Sequence, residues 1–338
     1  MDHGSASDAL QELIDGYRGT ALAAALVSTG LGDALATAAA TIGELAERTG
    51  LPTDRLQRLL DGLVVARLVC KSDERFELTP LARPLTSAAL SPLRDLAVLA
   101  ARQYMPAWSR LPDAVSGGTG FYHAFGTDVW SWRASHEGQS QLFDRWLARE
   151  SAAISDALAA HVVLPPHGLC ADIGGGEGAL LASMLERNLG AAGILFEQAS
   201  CIERLHNSPR MHRLGDRVRL VAGNFFASID IEADVLVLKS ILHDWNDDDC
   251  GTILQNVRAC LLRRDGAAAV IVERLHDRCT TAMLDLAMMC VTGGRERTLA
   301  ELISLAQEAG LRATRVDASS VGFAMIHLQV DGAKPMPT

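Results

Sequence analysis

Aromatic side chains make up only 5% of the 338 residues, Lys and Arg are outnumbered by Asp and Glu, and no apolar run reaches membrane-spanning length. The balance of 31 basic against 41 acidic residues leaves a net charge of -10 and a pI near 5.5. A field of that sign repels polyanions, which argues against a general nucleic-acid or anionic-membrane binder and points to small molecules or other proteins as partners. The apolar stretch Ala21 to Leu35 is interrupted by Ser28, Thr29, Gly30 and Asp33 and is too short to span a bilayer. Met1 to Ala9 is polar and lacks a basic segment followed by an apolar one, so no signal peptide is expected. The seven cysteines are scattered, with no Cys-x-x-Cys and no Cys/His cluster at metal-ligand spacing, so the expectation is a reduced, cytoplasmic protein without a metal. Neither an internal repeat nor a low-complexity tract is evident.

Glycine, by contrast, is concentrated where it matters. Cys170 to Leu181 reads CADIGGGEGALL, an apolar strand joined to an amphipathic helix through Gly174, Gly175, Gly176 and Gly178. Without Cβ atoms these residues can take positive φ and let backbone N–H groups and the helix N-terminus approach a ligand. Asp172 opens the loop and no Gly-Lys-Ser/Thr closes it, which argues against a triphosphate P-loop. A second strand, Ala192 to Phe196, ends in Glu197, the position from which a doubly wound sheet grips ribose hydroxyls. That spacing alone fits NAD and S-adenosylmethionine equally well.

Around this centre the chain reads as three segments, 1–99, 100–165 and 166–338. The first predicts helices over Ala9–Ser28, Thr41–Thr49 and Thr53–Ala66, then a hairpin over Leu68–Leu78, together resembling a winged-helix unit. Thr41 and Glu44 make a capping-box pattern, and Gly50 suits a helix end. A winged helix could bind DNA, but Asp54, Arg55, Gln57, Arg58 and Asp61 give its second helix mixed charge rather than a basic face. The apolar run Ala21 to Leu31 suits either a dimer interface or burial in its own domain. The middle segment is helical and holds most of the aromatics, including Phe143 and Trp146, as a small-molecule pocket would. In the last, strands over 168–173, 192–197, 218–222, 233–239, 267–273, 312–317 and 322–329 alternate with helices over 177–187, 199–207, 247–262, 280–290 and 298–309. The fold class is therefore α/β, a doubly wound, Rossmann-like, mostly parallel seven-stranded sheet behind a helical N-terminal domain.

His243 lies just beyond the strand that ends at Lys239, on the ligand side of such a sheet, where an imidazole can take a proton near neutral pH. Glu273 ends another strand, and Glu296 sits in the loop before the last helix; either could fix the imidazole tautomer or be a solvated structural charge.

Four motifs occur in one order: Asp172 to Gly178, Gly223-Asn224-Phe225-Phe226, His243-Asp244-Trp245, and Gly293-Gly294-Arg295-Glu296-Arg297-Thr298. The ordered set resembles the plant-type, class I S-adenosylmethionine-dependent small-molecule O-methyltransferases, from about Leu13 to Leu328. The resemblance implies a homodimer held by the N-terminal unit, S-adenosylmethionine as cofactor, and methyl transfer to a hydroxyl of a small aromatic natural product. It makes His243 the general base, with Glu273 and Glu296 as its supports. It gives the cofactor to Asp172, Gly174, Gly175, Gly176, Glu197, Gln198, Gly223, Asn224, Phe225, Lys239 and Trp245. The substrate falls to Phe143, Trp146, Asp244, Met288 and Met289. Asn224 replaces the Asp usual in relatives, Glu197-Gln198-Ala199 stands where Asp-Leu-Pro is frequent, and Trp146 replaces a frequent Met. Three alternatives remain at this level: a cofactor-binding relative that hydroxylates, decarboxylates or rearranges without transferring the methyl, a winged-helix regulator that senses a ligand, and an NAD-dependent oxidoreductase, which the Gly-Gly-Gly-x-Gly arrangement and the His-Asp-Trp segment weaken.

Overall fold

The computed structural model describes residues 3–277 and 279–332. By contact density the chain forms two compact units, Met1–Ser109 with His136–Arg149, and Arg110–Ser135 with Glu150–Thr338.

In the first unit, helices Tyr17–Ser28, Ile42–Thr49 and Thr53–Val65 pack with a three-stranded antiparallel sheet of β1 (Ala40–Thr41), β2 (Val69–Ser72) and β3 (Arg75–Leu78), in the order β1-β3-β2. The capping box forms as the sequence implies: Glu44 N–H donates to Thr41 Oγ1, Thr41 N–H donates to Glu44 Oε2, and Gly50 closes the helix at φ +70°. The single helix expected over Ala9–Ser28 is instead two, His3–Asp15 and Tyr17–Ser28. The break falls at Gly16, whose poor helix propensity coincides with i→i-3 bonds from Gly16 N to Leu13 O and from Gly19 N to Gly16 O. Of the two fates open to Ala21–Leu31, the structure selects burial for Ala24, Leu26 and Leu31, which lie in the unit's own core. Leu10, Leu13 and Ile14, spaced i, i+3 and i+4, are exposed on the preceding helix, and the exposed Tyr17 opens the next one.

The second unit is built on seven strands: β4 (Leu169–Ile173), β5 (Ala192–Glu197), β6 (Val218–Ala222), β7 (Val235–Lys239), β8 (Ala268–Glu273), β9 (Leu311–Ala318) and β10 (Ala324–Val330). Their order is β6-β5-β4-β7-β8-β10-β9, with β10 antiparallel to both of its neighbours and the other pairings parallel. β4, β7 and β8 are buried on both faces, which explains their continuous apolar sequences. One face packs on helices Asp247–Leu261 and Leu299–Glu308, the other on Ala179–Arg187 and Ala199–Leu205. Helix Pro209–Leu214 is an addition to the elements expected from the sequence; Pro209 occupies its first turn, where no N–H is needed.

From β4 the chain winds outward through β5 and β6, then returns to place β7 on the other side of β4. This reversal opens a crevice at the carboxyl ends of β4 and β7, the usual ligand site of such a sheet. Leu254→Ala, at a fully buried position on helix Asp247–Leu261, should cost about 2–5 kcal/mol in chemical denaturation. The same change at Leu262, 59% exposed, should stay within about 0.5 kcal/mol.

Candidate active site

The glycine loop leads directly out of β4. Gly174, Gly176 and Gly178 take φ of +68°, +56° and +71°, and Gly178 caps helix Ala179–Arg187. Gly175 is required for a different reason: a Cβ there would lie 2.4 Å from Asp172 Oδ2 and 2.6 Å from Leu195. Beneath the loop the Asp172 carboxylate is buried, and neither oxygen has a hydrogen-bond partner among the described residues. Burial, opposed by Lys239, pushes its pKa up to about 7. At the end of β5, Glu197 accepts from Gly176 N–H at 3.3 Å and from Gln198 N–H at 2.6 Å, tying the second strand to the loop.

A third wall comes from the segment after β6. Gly223 donates its N–H to Glu197 O, and a side chain there would overlap the Phe196 ring. Asn224 is exposed and its Oδ1 accepts from Phe226 N–H at 2.9 Å, closing a local turn that leaves one lone pair and the amide NH2 for other partners. Asn256 Nδ2 donates to the carbonyls of Phe225 and Phe226, fixing both rings edge-on to Trp245. Trp245 stacks on Trp130 at 5.8 Å, and Arg133 lies over the Trp130 ring.

His243 sits in a short 3-10 turn, Leu242–Asp244, entered through Ser240 at φ +54°. Its Nδ1 is 2.9 Å from Glu296 Oε1 and 3.9 Å from Glu273 Oε2, and its Nε2 is 3.9 Å from Asp244 Oδ2. The two glutamates divide their work. Glu296 bonds the ring, whereas Glu273 Oε1 accepts the backbone N–H groups of Ile241 and Leu242 at 3.0 and 2.8 Å. Burial alone would lower the imidazole pKa; Glu273, Asp244 and the bond to Glu296 outweigh it and raise it to about 10. Burial raises the carboxyl pKa of both Glu273 and Asp244, with His243 opposing each and Arg133 also opposing at Asp244.

The remaining expected residues are distributed less tightly. Lys239, at the tip of β7, lies over the Phe323 ring at 5.9 Å, and burial lowers its pKa against the pull of Asp172 and Glu273. Met288 and Met289 are half-buried on helix Ala282–Val291, whose Asp285 accepts Glu296 N–H at 2.9 Å. Phe143 and Trp146 belong to the first unit, where their rings meet at 5.6 Å in a cluster with Val98, Leu99 and Leu142. Sequence reasoning gives no role to Arg133, Asp285, Gly294 and Arg297, and counts Trp130 only among the aromatics of the middle segment. For Gly294 and Arg297 a signal exists, since both stand in the string that supplies Glu296.

The profile of an O-methyltransferase domain matches residues 108–312, and that of an O-methyltransferase dimerisation domain matches residues 11–88. An O-methyltransferase of Streptomyces lavendulae is 32% identical, the match covering 88% of this chain and 92% of that protein. The 3-amino-4-hydroxybenzoate 4-O-methyltransferase of Streptomyces cremeus is 30% identical over 90% of this chain and 84% of its own length. Among solved structures, a mitomycin 7-O-methyltransferase superposes with a TM-score of 0.91 at 26% identity, covering 97% of this chain and 98% of that one. A methyltransferase of calicheamicin biosynthesis, bound to S-adenosylhomocysteine, gives a TM-score of 0.75 at 30% identity over 98% and 99% of the two chains. These likenesses carry methyl transfer over the non-methylating alternative. The chain belongs to the O-methyltransferase family, and it is an enzyme whose cofactor is S-adenosylmethionine.

Proposed function

We propose that the enzyme methylates a phenolic hydroxyl of a small aromatic natural product, with His243 as general base, and that it works as a homodimer. The observation that carries this reading is the His243 ring. Glu296 engages Nδ1 at 2.9 Å, which leaves Nε2 as the nitrogen for an acceptor, at the carboxyl ends of the central strands. The relatives named above for 3-amino-4-hydroxybenzoate and mitomycin support an aromatic acceptor.

The residues present fit the cofactor. The orphaned, buried Asp172 carboxylate beneath a glycine loop suits an ammonium group, Glu197 suits ribose hydroxyls, and Asn224, Phe225 and Trp245 offer amide and ring contacts to a purine. Gly174, Gly175, Gly176, Gln198, Gly223 and Lys239 complete that assignment. S-adenosylmethionine supplies an electrophilic methyl group, so the protein's part is to position a hydroxyl and hold its proton. Met288, Met289 and Asp244 are the proposed acceptor contacts within the second unit.

The surrounding acids match the base to its task. An imidazolium with a pKa of about 10 is close to a phenol, whose pKa is also about 10, so proton transfer between them is nearly balanced. At neutral pH the free enzyme carries His243 as the imidazolium, and an acceptor must arrive ionised or the imidazole must first lose its proton. kcat/KM for a simple phenol is therefore expected to rise about tenfold per pH unit between roughly pH 6 and 9. Glu296→Gln removes a partner that favours the charged ring, so the His243 midpoint in an NMR titration should fall; an unchanged midpoint would contradict the pairing.

His243→Ala should bind S-adenosylmethionine by calorimetry with unchanged affinity yet lose activity by about 10²–10⁴-fold. Retention of full activity would remove His243 as base. The exposed stripe of Leu10, Leu13, Ile14 and Tyr17 supports dimer contact within or beside the segment matched by the dimerisation profile. Leu13→Glu with Ile14→Glu is expected to convert a dimer to a monomer in light scattering, whereas Leu262→Glu, on the second unit, is not.

A further inference from the structure

The turn that carries His243 has little of its own to hold it. Its internal bonds, Asp244 N–H to Ile241 O at 3.2 Å and Trp245 N–H to Leu242 O at 3.3 Å, are long, and three residues of 3-10 helix do not fix a ring direction. Other groups grip it. On one side Glu273 takes the N–H groups of Ile241 and Leu242. On the other, the fully buried Arg297 side chain donates to Leu242 O at 2.7 Å and Trp245 O at 2.7 Å, the carbonyls that bracket His243 and Asp244. The same guanidinium is held in plane by Asp247 Oδ1, which accepts from Nε at 3.0 Å and from Nη2 at 2.8 Å.

Arg297 is the next residue after Glu296, and that segment is anchored: its Glu296 N–H donates to Asp285, and Arg297 O accepts from His276 N–H. One side chain of the pair meets the imidazole and the next meets the backbone that carries it, a two-point grip from one rigid segment. Gly294 closes the same surface. A Cβ there would stand 2.0 Å from His243 O and 2.6 Å from Trp245 N, so the turn lies directly against the loop backbone.

We infer that Arg297 is a positioning residue for the reaction, acting through His243 by fixing the turn so that the ring meets Glu296 on one nitrogen and the acceptor on the other. The inference rests on the reading of His243 as base. A planar fork does this where an ammonium does not: lysine can keep the charge but not parallel bonds to two carbonyls and a carboxylate. Among the described residues, none of Arg297's hydrogen bonds or ion pairs reaches the glycine loop or Glu197. Its bond to Trp245 O does touch one proposed cofactor contact, so its effect is expected to fall mainly on turnover and far less on cofactor affinity.

The test is a double-mutant cycle of Arg297→Lys and His243→Ala in the full-length enzyme, with S-adenosylmethionine affinity by calorimetry, kcat and KM for a phenol, and the NMR titration of His243. Misplacing the ring should lower kcat of Arg297→Lys on the order of 10²-fold. Cofactor affinity, which the bond to Trp245 O can alter, should fall far less than kcat, and the His243 midpoint should fall, because a displaced ring loses Glu296. In the double variant Arg297→Lys should add nothing to the loss from His243→Ala. Multiplying losses, or a cofactor affinity that falls as far as kcat, overturns the inference while leaving His243 as base. Full activity in His243→Ala overturns the base itself. Asp247→Asn, which weakens the clamp from its exposed end, should give a smaller loss of kcat, again absent in the His243→Ala background. Should Arg297→Lys fold poorly, that pair decides the question alone: a loss that persists without His243 sinks the inference.

Discussion

The parallel pairing of β4 with β7, Cys170 opposite Val235 and Asp172 opposite Val237, is the constraint on which the rest depends. Because β4 leads to one side of the sheet and β7 to the other, no connection covers the ends of these two strands, and the segments leaving them meet in the open crevice. The glycine loop emerges from one and the His243 turn from the other. Their closeness is measurable: a Cβ on Gly174 would stand 2.5 Å from Ile241 Cδ1, at the entrance to the turn. The glycine loop and the His243 turn are thus set by neighbouring strands of one sheet, which would hold the proposed cofactor site and the proposed base in fixed register.

Electrostatics in that crevice are a consequence of its burial. Glu273, Glu296 and Asp244 lie within 4 Å of one imidazole, and so dense a set of acids would be costly to bury if all were ionised without a counter-charge. His243 and Arg133 favour the charged form of Asp244, and two backbone N–H groups donate to Glu273 Oε1. The same cluster that stabilises the charged ring raises its basicity to the range of a phenol. Structure and chemistry share a cause here, since removing an acid both loosens the ring and makes it a weaker base.

The first unit contributes by other means. Its core closes on Leu26, Leu45, Leu60 and Phe76, with a capping box and an Arg75 to Glu44 ion pair at its edge. It leaves apolar side chains uncovered at Leu10, Leu13 and Ile14 on its first helix and at Tyr17 on the next, and also at Val65, Leu81, Leu90 and Leu93.

Much of this is legible in the sequence, because strands buried on both faces are written as apolar runs and glycine loops as glycines. β5 and β6 are legible to the residue, the capping box is plain from Thr41 and Glu44, and the four ordered motifs are enough to name the family and its cofactor. Local patterns carry such information since each depends on neighbours within a few residues. What only the tertiary structure decided are relations across long separations. Glu273 and Glu296 look alike in sequence, yet one holds backbone and the other holds the ring. Arg297 reads as one more charge in a polar string until the fold brings it to carbonyls 52 and 55 residues away. Hydrogen-bond partners of that kind are fixed by where the sheet reverses and how helices pack on it, and no periodicity along the chain encodes them.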